Sequence, residues 1–255
     1  MIVRDRFRHY QHEDLQGIVD VISAADRAVG DDPRLNVEIM QTMIEAPGID
    51  NDKDNFIVER DGQIIAYADC EFSKSGWCFA DCAVHPDFRQ QGIGTELVRR
   101  TEARIFEWAN DSLPADHLLL IHRMFKDNDH ASRNLLESSG YSHVRSSYQM
   151  RIELDHPVEL VPLPEGIVLR PFDRERDAQA VYQANEDTFM DHWGHERATY
   201  EEWARFVLDY PAADPSMWLI AWDGDQIAGI CLNRPYEEAD QQMGWTGTLG
   251  VRREW

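Results

Sequence analysis

The residues from Arg89 to Thr95 combine the types and the spacing that bind an anion. Their sequence is Arg-Gln-Gln-Gly-Ile-Gly-Thr, so two glycines follow one arginine within five positions. Glycine lets the backbone approach a ligand without a Cβ clash, and the arginine can add a charge-assisted hydrogen bond. If this turn opens a helix, the unpaired N–H groups of the first helical turn favour an anion such as a pyrophosphate.

The flanking segments predict the elements that would position this turn. An apolar, β-branched run from Trp77 to Val84 predicts a strand before it. An amphipathic helix is predicted near 93–109, and its apolar members are Leu97, Val98, Ile105 and Trp108. A dinucleotide-binding fingerprint would need a third glycine where Leu97 stands, and a P-loop would need Gly-Lys-Ser/Thr. The pattern fits neither of these motifs.

This strand, turn and helix resemble motif A of the GNAT N-acetyltransferases. The resemblance implies that the segment binds acetyl-CoA, with the pyrophosphate at Gln91 to Thr95 and the thioester carbonyl near Ala83 and Val84. Asn128 stands where the family often has a cofactor-binding asparagine, although a simple helix-cap role suits it equally well. The implied cofactor residues are Ala83, Val84, Arg89, Gln90, Gln91, Gly92, Ile93, Gly94, Thr95 and Asn128.

The chain also resembles itself. The residues after Phe7 match those after Leu169, 162 residues later, and the same offset relates the Asp-Gly pairs at 61–62 and 223–224. Beyond that hairpin the offset becomes 167, which aligns Ala83-Val84 with Gly250-Val251. Ordered matches at nearly one offset indicate a duplicated domain.

The predicted organisation is therefore a mixed α/β chain with two copies of one fold. We expect a complete acetyl-CoA-binding domain of the GNAT fold at 1–154, a proline-rich linker at 155–165, and a partial second GNAT domain at 166–255. Strands are predicted near 3–9, 55–60, 63–72, 77–84, 117–122 and 141–154, and in the second copy near 167–170, 216–222, 226–232 and 244–251. The layout resembles tandem GNAT proteins such as mycothiol synthase.

The resemblance implies direct attack of an amine on the acetyl thioester, which calls for a proton acceptor. In the family this base commonly lies on the strand before motif A, on the face that here carries Cys78, Ala80 and Cys82. Leu136 occupies the position of the family's usual acidic tyrosine. Three explanations remain open. Asp81, Glu71 or His122 serves as the base, proximity alone suffices, or the first domain binds acetyl-CoA without turnover.

Composition restricts the partners. The chain has 47 acidic and 25 basic residues and a net charge of −22, which argues against nucleic acids and anionic membranes. No apolar stretch approaches the ~20 residues of a membrane-spanning helix, and the first residues lack a signal-peptide core. Four cysteines without paired Cys-x-x-Cys spacing predict neither a disulfide framework nor a metal site, so a cytoplasmic protein is expected.

Together these features predict an enzyme that transfers an acetyl group from acetyl-CoA to a small-molecule primary amine. The alternative is a non-catalytic acetyl-CoA-binding or regulatory module. A strand near 244–251 that ends the sheet would leave an open edge. We therefore expect that Trp255 is not the natural terminus, or that a homodimer covers this edge.

Overall fold

The computed structural model describes residues 5–235 and 243–255 of the 255-residue chain. The chain divides into two compact units, Met1–His143 and Val144–Trp255. Each unit combines an antiparallel sheet with helices, which confirms the predicted mixed α/β class. Among the residues described, no helix is both long and apolar enough to cross a bilayer.

The first unit follows the predicted order of elements up to its last helix. Its strands are β1 (Arg6–His9), β2 (Asn55–Arg60), β3 (Gln63–Asp69), β4 (Trp77–Phe79), β5 (Cys82–Val84) and β6 (Leu120–His122). Its helices are α1 (Leu15–Ala28), α2 (Val37–Ile44), α3 (Ile93–Ser112) and α4 (His130–Ser138). An antiparallel sheet has the order β1-β2-β3-β5, and β4 and β6 form a separate parallel pair.

The predicted strand at 77–84 is interrupted in its middle. β4 pairs with β6, whereas β5 pairs with β3, and Ala80 and Asp81 lie between the two short strands. The N–H of Asp81 donates to the carboxylate of Asp69 (3.2 Å) instead of to a backbone carbonyl. This side-chain bond replaces one backbone rung, and the ladder resumes where Glu71 and Phe79 exchange both backbone hydrogen bonds (2.8 and 2.9 Å).

The two faces of the antiparallel sheet pack against different helices because successive side chains of a strand alternate. Tyr67 and Ile57 lie in a core with α1 and α2. Ala66 and Ala68 lie in a second core with α3, which also contains Cys78 and Ala80. The helix of the anion-binding turn and the helices α1 and α2 thus cover opposite faces of the sheet.

The second unit repeats this sheet. It contains β7 (Ile167–Arg170), α5 (Arg174–Phe189), α6 (Tyr200–Trp203), β8 (Leu219–Asp223), β9 (Gln226–Pro235) and β10 (Gly244–Val251). The strand order β7-β8-β9-β10 matches β1-β2-β3-β5. Trp203, Trp218 and Trp222 lie in its core.

The strand registers relate the two sheets residue by residue. Ala66 pairs with Val84 in the first sheet, and Gly229 pairs with Val251 in the second. Ala66 and Gly229 are 163 residues apart, and Val84 and Val251 are 167 residues apart. The predicted offset of 167 beyond the hairpin is therefore confirmed. The hairpins close at Arg60–Gln63 and Asp223–Gln226, which makes the offset there 163 and corrects the predicted 162.

The predicted strands at 141–154 are wrong. Val144, Tyr148, Met150, Ile152 and Leu154 alternate as in a strand, but they are between 68% and 91% exposed and carry no strand assignment. A strand pattern forms a strand only when a neighbour supplies hydrogen bonds and an apolar face. The linker predicted at 155–165 has neither helix nor strand, while the exact limits of the two domains stay a prediction.

Candidate active site

The turn before α3 has the backbone conformation of an anion-binding loop. Gln90 and Gly92 are left-handed, with φ of 61° and 84°, and Gly92 caps α3 without a side-chain hydrogen bond. The first N–H groups of α3 therefore have no partner within the helix. Because these donors lie at the positive end of a helix of 20 residues, they suit a phosphate.

The two glycines are required for different reasons. A Cβ on Gly92 would meet no atom within 4 Å, so its left-handed backbone alone selects glycine. A Cβ on Gly94 would lie 3.0 Å from Leu135 Cδ2 of α4 and 3.9 Å from Val84 Cγ2. Gly94 thus permits the close approach of α4, and the sequence-based view that both glycines only make room for phosphate was incomplete.

The polar side chains beside the turn are held by protein groups. Arg89 Nε donates to the carbonyl of Val84 (3.2 Å), and its Nη1 lies 3.8 Å from the carboxylate of Asp129. Gln91 accepts a hydrogen bond from Arg60 (2.9 Å). Asn128 donates to the carbonyl of Val29 at the end of α1. These contacts orient the loop around the turn.

The parallel strands β4 and β6 part close to this turn. The N–H of Leu120 donates to the carbonyl of Gly76 (2.8 Å), and the N–H of Ala80 donates to the carbonyl of His122 (3.0 Å). β6 ends at His122, while the other strand continues as β5. One edge of β5 therefore faces a gap instead of a neighbouring strand.

The register identifies which backbone groups line this gap. Asp69 N–H donates to Asp81 and His85 N–H donates to Ile65, so the hydrogen-bonded pair between them is Tyr67 with Ala83. The backbone groups of Ala83 are therefore taken by β3. The backbone N–H and C=O groups of Cys82 and Val84 point away from β3, toward the gap. Of these groups, the Val84 carbonyl already accepts a hydrogen bond from Arg89. The groups left on the gap are the N–H and C=O of Cys82 and the N–H of Val84.

Three carboxylates lie on the α1 and α2 side of the same strands. Asp69 and Glu71 are two positions apart on one chain segment and share a face, and Asp69 bonds to Asp81 through both backbone and side chain. Asp69 also accepts a hydrogen bond from the hydroxyl of Tyr67 (3.2 Å), and Tyr67 donates to Asn55 (2.5 Å). Sequence analysis missed Asp69.

The electrostatics of this cluster favour a bound cation. Burial, together with the charges of Asp81 and Glu71, raises the pKa of Asp69 to about 7. Desolvation by the surrounding protein atoms and the charge of Asp81 raise the pKa of Glu71, and desolvation raises the pKa of Asp81. A carboxyl group that titrates near neutrality is suited to accept a proton in catalysis.

A small cleft opens beside these carboxylates. It has room for about one water molecule, and its polar lining comes from Asn55, Tyr67, Asp69 and Glu71. Its apolar lining comes from Met43, Ile44 and Ile49, in and after α2. The cleft therefore presents acidic and apolar side chains side by side at the surface.

The other sequence-derived candidates have different surroundings. The face of Cys78 and Ala80, where a base was expected by family resemblance, is buried against α3 and cannot meet a substrate. His122 stacks on Trp77 with ring centroids 4.7 Å apart, and burial lowers its pKa.

The comparisons with known proteins agree with this geometry. Residues 51–143 match the Acetyltransferase (GNAT) domain family, and this range runs from β2 to α4. The mycothiol acetyltransferase of Geodermatophilus obscurus is 29% identical over 210 residues, which cover 78% of this chain and 63% of that protein. The chain spans about three fifths of the length of the curated relatives it matches.

Two solved structures match nearly the whole chain. The tandem GNAT protein from the clavulanic acid biosynthesis pathway covers 99% of this chain and 80% of its own, with a TM-score of 0.65 and 14% identity. The GCN5-related N-acetyltransferase from Sphaerobacter thermophilus covers 98% of this chain and 77% of its own, with a TM-score of 0.75 and 31% identity. The chain therefore belongs to the GCN5-related N-acetyltransferase (GNAT) family.

Proposed function

We propose that this chain transfers an acetyl group from acetyl-CoA to the primary amine of a small molecule. The observation that carries the proposal is the strand–turn–helix segment from β4 to α3. It places an open strand edge at Cys82 and Val84 next to the unpaired N–H groups at the start of α3. The extended, amide-containing arm of acetyl-CoA suits the open strand edge, and its pyrophosphate suits the N–H groups at the start of α3.

In this proposal the amine of the acceptor attacks the thioester carbonyl directly. The new bond is N–C, the bond that breaks is C–S, and the sulfur leaves as the CoA thiolate. The attacking nitrogen loses its extra proton as the amide forms, and the thiolate gains one proton, so the step is balanced. The backbone N–H of Cys82 or Val84 stabilises the negative charge on the carbonyl oxygen. Because the neutral amine is the nucleophile, the ammonium form must first lose a proton.

We assign to Asp69 the role of the base that accepts this proton, through one bridging water molecule. The support is its place in the cleft, its bond to the Asp81 N–H (3.2 Å), and a pKa raised to about 7 by burial and neighbouring charge. Glu71 lies at the same cleft, is more exposed and remains the second candidate. The other two candidate bases named from the sequence are Asp81 and His122.

The acceptor is proposed to be cationic before reaction. Three carboxylates with raised pKa values line or adjoin the cleft, and a bound ammonium would offset their mutual repulsion. Because several relatives are named mycothiol acetyltransferase, primary amines chemically related to mycothiol belong in the panel of acceptors to test. We also propose a cytoplasmic location, in keeping with four free cysteines, and a homodimer that covers the β10 edge.

The test is a steady-state assay of the full chain with acetyl-CoA and a panel of primary amines. Free CoA should be separated from acetyl-CoA by chromatography, because the protein carries four free thiols that would react with a thiol reagent. Turnover with at least one amine supports the enzyme. Tight binding of acetyl-CoA without turnover supports the binding module instead, and absence of binding excludes both.

A further inference from the structure

The point at which β4 and β6 part is marked by an exchange of hydrogen-bond partners. The rungs from Leu120 to Gly76 and from Ala80 to His122 follow the regular spacing of a parallel ladder. The next rung in that series would join the N–H of Met124 to the carbonyl of Ala80. This rung is replaced.

Two side chains take the places of the missing backbone groups. The N–H of Met124 donates to Asp81 Oδ1 (3.4 Å). The carbonyl of Ala80 accepts from Arg123 Nη1 (3.2 Å). Both backbone groups are therefore satisfied without the strands continuing side by side.

The guanidinium of Arg123 is itself fixed on three elements. Its Nη2 donates to Thr101 Oγ1 (2.6 Å), which lies fully buried on α3. Its Nε donates to the hydroxyl of Tyr141 (2.9 Å), which follows α4. A flexible or solvent-facing arginine could not define a strand separation, whereas one held by these bonds can.

We propose that Asp81 and Arg123 are positioning residues that hold β5 and the chain after β6 apart. The separation keeps the N–H and C=O of Cys82 and the N–H of Val84 available to an amide-containing ligand. The proposal rests on acetyl-CoA as that ligand, as argued under the proposed function. It also gives Asp81 a role other than the base, because its Oδ1 serves as a hydrogen-bond acceptor.

The substitution Asp81→Asn keeps the Oδ1 acceptor and removes the charge, whereas Asp81→Ala removes both. We expect Asp81→Asn to keep the Kd of acetyl-CoA within about threefold of that of the original chain. Asp81→Ala should raise that Kd about tenfold, the scale expected for one lost hydrogen bond. Arg123→Met should act in the same direction, and Arg123→Lys should rescue little because lysine lacks the planar fork.

Hydrogen exchange of the ligand-free chain provides a second reading that does not depend on acetyl-CoA. In the original chain the amides of Cys82 and Val84 should exchange quickly, and Asp81→Ala should slow them as the strands pair. Equal exchange and equal Kd in Asp81→Ala and the original chain would overturn the proposal. A hundredfold loss of kcat in Asp81→Asn with unchanged Kd would make Asp81 the base instead. If the original chain binds no acetyl-CoA, the proposed function fails, while the exchange data still decide whether Asp81 and Arg123 separate the strands.

Discussion

The two units carry the same four-stranded sheet but different side chains at the same positions. By the shared register, Asp69 and Asp81 of the first unit correspond to Leu232 and Thr248 of the second. Leu232 is buried in the apolar core of its unit. The scaffold was repeated, whereas the carboxylates that could handle a proton were placed on one copy.

The strands that follow the hairpins differ in a related way. In the second unit, β10 stays paired with β9 along its length, with a register shift between Thr246 and Thr248. In the first unit, the equivalent position is the break between β4 and β5, where the N–H of Asp81 bonds to the side chain of Asp69. The first unit therefore keeps its register here and replaces one backbone acceptor by a carboxylate, whereas the second unit shifts its register.

Among the tests of this difference between the two units, the largest effect is expected from substitution of Asp69. Asp69→Asn should lower kcat by about a hundredfold or more, the usual contribution of a general base. The control is Glu71→Gln in the same cleft, for which a loss below about fivefold is expected because it is Asp69, and not Glu71, that accepts a hydrogen bond from the Asp81 N–H. Rate measurements at saturating acetyl-CoA decide the matter, and similar losses in both variants would remove the assignment.

The pH dependence follows from the same residue. A base must be ionised, so kcat/KM of the original chain should fall as pH drops below the Asp69 pKa of about 7. Asp69→Asn should flatten this limb. A profile that keeps the same inflection in Asp69→Asn would show that another group is titrating.

The stability of the first unit should also depend on Asp69, with the opposite sign from catalysis. Because the folded pKa lies above the ordinary value of 3.8, ionisation opposes folding, and stability is lost as pH rises from about 4 to about 7. Asp69→Asn should therefore gain stability relative to the original chain at pH 8 but not at pH 4. Urea unfolding at both values tests this, and an equal difference at both would contradict it.

Two glycines, one from each unit, separate the backbone cost of a substitution from its effect on binding. Gly92 and Gly224 are both left-handed, with φ of 84° and 59°, and a Cβ on either meets nothing within 4 Å. Alanine at either site should cost about 1–2 kcal/mol of folding free energy. Only Gly92→Ala should weaken acetyl-CoA binding, by about tenfold in calorimetry. Equal affinity in the two variants would remove the phosphate site from the turn.

The sequence predicted most of the elements because their signals are local. Alternation, helical spacing and the Asp-Gly turn located the meander, α3 and the repeated sheet, and the Arg-x-x-Gly-x-Gly run located the turn. The strands at 141–154 failed because their pattern could not say whether a neighbouring strand was present. Local pattern fixes the type of an element more readily than its partners.

The candidate base was missed for a similar reason. Asp69 gains its raised pKa from burial and from Asp81 and Glu71, which are brought to it by strand pairing. The sequence search followed the face of Cys78 and Ala80, which turned out to be the core against α3. One signal was present, since Asp69 and Glu71 share a strand face by their spacing of two.

The smallest expected effect is on acetyl-CoA affinity when Arg89 is substituted. This test shows whether Arg89 positions the turn of the first unit or binds phosphate. Its Nε donates to the Val84 carbonyl at 3.2 Å, and its Nη1 lies 3.8 Å from Asp129, so its geometry favours positioning over direct contact with phosphate. Arg89→Ala and Arg89→Lys should then weaken acetyl-CoA binding alike, by about two- to fivefold, because lysine cannot reproduce the guanidinium geometry. If Arg89 instead neutralises phosphate, lysine should restore most of the affinity, and the loss in Arg89→Ala should shrink as salt screens the charge. Calorimetry of the three proteins at low and high salt separates these outcomes.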